Sequence, residues 1–227
     1  MEKDLGIDRF TKLEELKEYC EGKKIIIVGN SSRILNGNYK KLIESYHIVV
    51  RINKGYFINT NLYSDKIGTK TNILSMGLKS ATMSANVIQK NSVDYIISPI
   101  VSSERLNYRN VYDVDRETYN LLKESLGGFK PSTGIATYNF FNRFINFDRL
   151  DLIGFDFFES SSRQRNQLGH CYVPDHHGVK EKIFFEKSRD PEKTTLHPIH
   201  GGNGALINNI PVYHNSHNYT IKNNKRK

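Results

Sequence analysis

Four short stretches of this sequence carry side chains that bind anions, three of them with a glycine: Gly29-Asn30-Ser31, Arg51-Ile52-Asn53, Gly68-Thr69-Lys70-Thr71 and Pro131-Ser132-Thr133-Gly134. Glycine lets a backbone turn tightly, or lets a ligand approach it. Asn supplies both a donor and an acceptor, and Arg supplies donors in a rigid fork. Ser132 or Thr133 can cap a following helix, whose first amides are free and whose dipole favours negative charge, so an anion fits there. No stretch is a GxGxxG dinucleotide fingerprint or a GK[ST] phosphate loop, which argues against a dinucleotide or a nucleoside triphosphate as ligand. Proton-transfer groups lie further along. His176 precedes Glu181 by five residues, while His177 and Glu181, four apart, share one face of a helix. An imidazole with an ordinary pKa of about 6.5 suits a general base at neutral pH. His197, in His-Pro-Ile-His, is the rival for that role. His170 lies six residues before His176. His47 and His214 show no ligand spacing and read as structural or exposed.

These residues need elements to position them. Continuous apolar runs at 23–30, 47–53, 71–76, 93–100 and 149–158 read as buried strands. Residues 9–21 carry Phe10, Leu13, Leu16 and Tyr19 at helical spacing, and 39–46, 116–128, 132–145 and 177–187 also read as helices. The segment 200–209 reads as a weaker helix and 210–215 as a last short strand. Strands alternating with helices predict an α/β fold, Rossmann-like, with a mostly parallel sheet flanked by helices on both faces. Such sheets bind ligands outside the carboxyl ends of their strands. The polar segment 159–175 has the length and composition of a functional loop. One domain over 1–227 is expected, with an N-terminal helix in 1–22 and a basic tail at 215–227.

The chain has 227 residues and a formal net charge of +9. That charge suits nucleotides, nucleic acid or an anionic membrane. No recognisable nucleic-acid module accompanies it, which leaves a non-enzymatic nucleic-acid binder as a rival without a motif. Cys20 and Cys171 form no paired motif and read as reduced, intracellular thiols. The charged N-terminus is no signal peptide, and no apolar run reaches the length of a membrane span. A cytoplasmic protein is expected, with the basic tail offering peripheral contact to the inner face of the membrane.

The stretches, in their order, resemble the sialyltransferase family with its L, S and VS motifs. The L motif is matched by Gly29-Asn30-Ser31, Arg51-Ile52-Asn53 and Gly68-Thr69-Lys70-Thr71. The S motif is matched by Pro131 to Gly134 and then Leu150 to Phe155, and the VS motif by His176 and Glu181. His170 is similar to the family's His-Tyr element. The resemblance implies a GT-A-variant fold and an inverting, metal-independent transfer of sialic acid from CMP-sialic acid to a glycan hydroxyl. The acceptor would belong to a cell-surface polysaccharide or lipo-oligosaccharide. It implies His176 as the base, Gly29, Asn30, Ser31, Arg51 and Asn53 around the donor nucleotide and phosphate, and Ser132, Thr133 and Gly134 near its carboxylate and phosphate. His170, His177 and Glu181 would support them. No cofactor is implied. The animal enzymes pair a cysteine of the L motif with one of the S motif. Neither position is Cys here, which fits a bacterial or viral relative, and a CMP-linked Kdo would use the same cradle. Asp113 and Asp115 form the Asp-x-Asp of metal-dependent nucleotide-diphosphate sugar transferases, a different enzyme. The same two acids also read as the capped start of a helix.

Overall fold

The computed structural model describes residues 5–53, 63–77, 93–99, 111–159 and 176–199. The elements run α1 (Leu5–Cys20), β1 (Lys24–Val28), a 3-10 turn (Ser32–Asn36), α2 (Lys40–Glu44), β2 (Ile48–Ile52), α3 (Ser64–Ile67), β3 (Ile73–Ser75) and β4 (Tyr95–Ser98). After these come β5 (Val111–Asp113), α4 (Arg116–Ser125), α5 (Thr133–Phe144), β6 (Arg149–Ile153), α6 (Gly178–Ser188) and β7 (Thr194–Leu196). The strands form a seven-stranded sheet in the order β5-β4-β3-β2-β1-β6-β7. Every neighbouring pair is parallel.

A parallel sheet buried on both faces needs apolar side chains pointing both ways, and the strand runs supply them. Ile25 and Ile27 of β1, Val50 and Ile52 of β2, and Leu150 and Leu152 of β6 pack on one face. They meet Leu13 and Leu16 of α1, Leu122 of α4, Phe140 and Phe141 of α5 and Phe185 of α6. Ile26, Val28, Val49 and Ile153 alternate to the other face, against Ile34 of the 3-10 turn, Ile43 of α2 and Ile67 of α3. The expected α/β architecture with helices on both faces is the one observed.

Two edge strands differ from the sequence expectation. Val111–Asp113 lies in a stretch that reads as a helix start, yet it pairs with β4. Thr194–Leu196 pairs with β6 and offers only three residues to any periodic pattern. The strand expected over 149–158 ends at Ile153. The segments 200–209 and 210–215, the tail and most of the loop 159–175 lie outside the described residues.

The order of the strands locates a crevice. From β1, the chain builds outward through β2 to β5 on one side and through β6 and β7 on the other. This reversal is a topological switch point, where adjacent loops diverge and leave a cleft at the carboxyl edge. Val28 is in register with Arg51 of β2 and Ile153 of β6, so Gly29 and Gly154 leave the sheet at one level and Asn53 one residue beyond, beside Asn30.

Candidate active site

A cavity of about 200 Å³ occupies this switch point. The end of β1 contributes Gly29, Asn30 and Ser31, the end of β2 Ile52 and Asn53, and the start of α5 Ser132, Thr133 and Gly134. The loop after β6 adds Gly154 to Phe158, and His176 and Glu181 close the far side. Three motif stretches far apart in sequence therefore face one space.

The floor is built by backbone contact. Gly29 donates its amide to Ile153 at 2.7 Å, and Ser31 donates its own to Gly154 at 3.0 Å. A Cβ on Gly29 would lie 2.4 Å from the Gly154 carbonyl oxygen. Any side chain there would push the β1 and β6 loops apart. Gly134 has a similar reason to be glycine: a Cβ would strike the Phe155 ring at 2.7 Å. The glycine expected to make room for a ligand thus makes room for an aromatic wall.

The polar side chains are anchored to the scaffold. Asn30 donates through Nδ2 to the Ile52 carbonyl at 3.1 Å. Its Oδ1 is buried without a hydrogen-bond partner among the described residues. Ser31 Oγ donates to Asp156 at 2.8 Å. Asn53 has φ of +50°, a left-handed conformation that Asn tolerates better than most residues. Its Nδ2 donates to Thr133 Oγ1 at 3.1 Å and its Oδ1 accepts from the Gly77 amide at 2.8 Å. One side chain thereby joins β2, the end of β3 and the head of α5.

Ser132 is the N-cap of α5 and accepts from the Ile135 amide at 3.2 Å. It also donates twice to Glu181, from its amide at 2.8 Å and its hydroxyl at 2.7 Å. The amides of Thr133 and Gly134 belong to a first helical turn, which has no intrahelical acceptors. Glu181 is 3% exposed. Burial pushes its carboxyl up to about 7, with the two bonds from Ser132 opposing that rise.

His176 is fixed by Nδ1, which lies 2.7 Å from the Lys130 carbonyl oxygen. A carbonyl only accepts, so Nδ1 carries the proton and, in the neutral ring, Nε2 carries the lone pair. The ring stacks on Phe158, centroids 5.6 Å apart and planes 12° from parallel. Phe157 and Phe158 have φ of +50° and +68°. Two consecutive left-handed residues are strained, a cost met at sites the surrounding structure holds in place. His177 caps α6, its Nδ1 accepting from the Lys180 amide at 3.4 Å, and its ring meets Phe129.

Two expected site residues are placed elsewhere. Arg51 does not reach the cavity. It points from β2 into the thin face of the sheet, is 0% exposed, and donates to the carbonyls of Ile67, Gly68 and Lys70. It holds the 67–71 turn rather than a donor. His197 lies beside β6, with Nε2 at 2.8 Å from Asp151 and 3.1 Å from the Tyr46 hydroxyl. Burial works against the Asp151 charge, yet hydrogen bonds from His197, Tyr46 and Arg149 hold its pKa below the usual range. This cluster ties β7 to the sheet, and none of its members lines the cavity. Asp115 caps α4, accepting from the Thr118 amide at 2.7 Å, and does not line the cavity. His170 lies outside the described residues. The loop 154–158 escaped sequence reasoning because the strand pattern seemed to continue through Phe158. The Gly154-Phe155-Asp156 break was the available signal.

The fold is shared with solved sialyltransferase structures. Residues 8–112 match the model of glycosyltransferase family 29 (sialyltransferase). A crystal structure of a mammalian sialyltransferase covers 86% of this chain and 80% of its own, at 18% identity and a TM-score of 0.52. A mammalian sialyltransferase in complex with Gal-β1-3GalNAc-ortho-nitrophenol covers 86% of this chain and 81% of its own, at 18% identity and a TM-score of 0.50. No curated protein matches the sequence. Over residues 8–112 the chain is similar to the sialyltransferases, as its ordered motifs implied, and the solved structures share its fold. The matched span carries the Asn30 and Asn53 stretches. The Ser132 and His176 stretches stand on their motifs and on the shared cavity.

Proposed function

We propose that the protein transfers sialic acid, or a related keto-acid sugar such as Kdo, from a CMP-activated donor to a glycan hydroxyl, with inversion and without a metal. The observation that carries this reading is the convergence of Asn30, Asn53, Ser132 and His176 on one cavity. The donor phosphate would meet the first-turn amides of α5, where the helix dipole favours an anion. Asn30 Oδ1, buried and unpartnered among the described residues, would accept a hydrogen bond from the nucleotide. A departing nucleoside monophosphate carries less charge than a diphosphate, so amides and neutral dipoles suffice to stabilise it. The acceptor oxygen attacks the anomeric carbon from the face opposite the phosphate. The bond from that carbon to the phosphate oxygen breaks, and CMP leaves with the electron pair. His176 Nε2 takes the acceptor proton, and the Lys130 carbonyl holds the tautomer that makes this nitrogen the acceptor. The acceptor is a surface glycan, consistent in class with the disaccharide in the mammalian complex.

The test separates chemistry from binding. His176→Ala should lower kcat by about 10²- to 10⁴-fold while CMP binds as before. His197→Ala should retain turnover. A fully active His176→Ala beside a dead His197→Ala would reverse the assignment.

A further inference from the structure

Glu181 is a buried carboxyl lining the cavity, and no cation pairs with it among the described residues. Both of its hydrogen-bond donors come from Ser132, the amide to Oε1 at 2.8 Å and the hydroxyl to Oε2 at 2.7 Å. The other titratable groups around it are engaged elsewhere. Asp156, on the loop after β6, accepts from Ser31, and His176, ahead of α6, is fixed on the Lys130 carbonyl. His177, one turn before Glu181, is turned to the Lys180 amide and the Phe129 ring. Lys130, Lys180 and Lys182 are exposed. On α5, Thr133 to Thr137 carry no charge, and the Tyr138 hydroxyl meets Ser188.

The hydrogens of this contact can be counted. A hydroxyl has one hydrogen and two lone pairs. Ser132 Oγ already accepts from the Ile135 amide at 3.2 Å. Against an ionised Glu181 its hydrogen goes to Oε2, because a carboxylate only accepts. With a proton on Oε2 the bond reverses. Glu181 then donates, Ser132 Oγ accepts through its second lone pair, and the serine hydrogen turns to the cavity that both residues line.

We propose that an anionic donor entering the cavity brings a proton from solvent onto Glu181, which reverses the Glu181–Ser132 bond and gives the Ser132 hydroxyl hydrogen to the ligand. The inference rests on the reading of this cavity as the donor site. One proton adds to Oε2, no other covalent bond changes, and the charge it brings offsets one negative charge of the ligand. An anion set beside a buried carboxylate disfavours its ionised form, which drives the uptake. Burial alone already raises the carboxyl to about 7, so the uptake falls near neutral pH. Glu181 is here a positioning residue, acting on the ligand through Ser132.

Calorimetric titration of the full chain with CMP at pH 8, in two buffers of different ionisation enthalpy, counts the protons taken up. At that pH the CMP phosphate, with a second pKa of about 6, is already a dianion. The wild type should take up more than about half a proton per CMP, and its affinity should fall by about threefold to tenfold from pH 7.5 to 8.5. An infrared difference spectrum should show the carbonyl stretch of a protonated carboxyl when CMP is added. Glu181→Gln should show neither uptake nor pH dependence, because its amide copies the protonated state: Oε1 accepts from the Ser132 amide and Nε2 donates to Ser132 Oγ. His176→Ala should keep the uptake. Equal uptake in wild type and Glu181→Gln, or no protonated-carboxyl band, overturns the proposal and leaves the donor site standing. Uptake that disappears in His176→Ala overturns it too. A wild type that does not bind CMP overturns the donor reading, and this inference with it.

Discussion

Glu181 and Gly178 show how single atoms set the geometry around His176. A Cβ on Gly178 would lie 1.8 Å from the Phe157 carbonyl oxygen. Backbone cannot yield cheaply there, so Gly178→Ala should lower stability by about 1–3 kcal/mol, read as a fall in Tm, and should slow transfer as Phe158 shifts beneath His176. Glu181 yields a pH signature. Its folded-state pKa of about 7 exceeds the ordinary value of 4.5, so the folded chain binds more protons than the unfolded one between those values. Stability therefore falls as pH rises through that window. Glu181→Gln should flatten this fall, measured as Tm from acid to neutral pH in both proteins. At this scale the sequence was a partial guide. Asn30, Asn53 and Ser132 were legible because their motifs have a chemistry and an order. Arg51 misled because residue type does not reveal on which face of a strand a side chain is buried. His197 stands away from the cavity because its partner, Asp151, 46 residues away in sequence, meets it through the β6–β7 register, which the sequence does not display.

At the scale of elements, the site is a joint between helix α5, helix α6 and three strand ends. Ser132 caps one helix and is gripped by the other. Ser132→Ala should cost about 2 kcal/mol, the loss of a cap together with a buried carboxylate left short of a donor. The double variant Ser132→Ala/Glu181→Gln should cost less than the sum of the singles, because both remove the same contact. Denaturant unfolding of the four proteins measures this coupling. The central strands were readable as continuous runs of Ile and Val, which only a doubly covered sheet can bury. The edge strands β5 and β7 are three residues each, too short to carry a period. They are held by pairing with β4 and β6 rather than by their own pattern, which is tertiary context a sequence does not display.

At the scale of the molecule, the account rests on the reversal of strand order at β1. That reversal opens the crevice, and the Gly29–Gly154 contact keeps its floor closed. Gly29→Val should destabilise the fold and abolish ligand binding together, since the same contact serves both. The central claim, that the crevice receives a cytidylate, is tested most directly by thermal unfolding of the wild-type chain with CMP, UDP and GDP in the presence of EDTA. CMP at about 100 times its dissociation constant should stabilise the fold by about 2.7 kcal/mol, with UDP and GDP far behind. An unchanged midpoint with CMP, or a larger shift with UDP that needs added manganese, would contradict it.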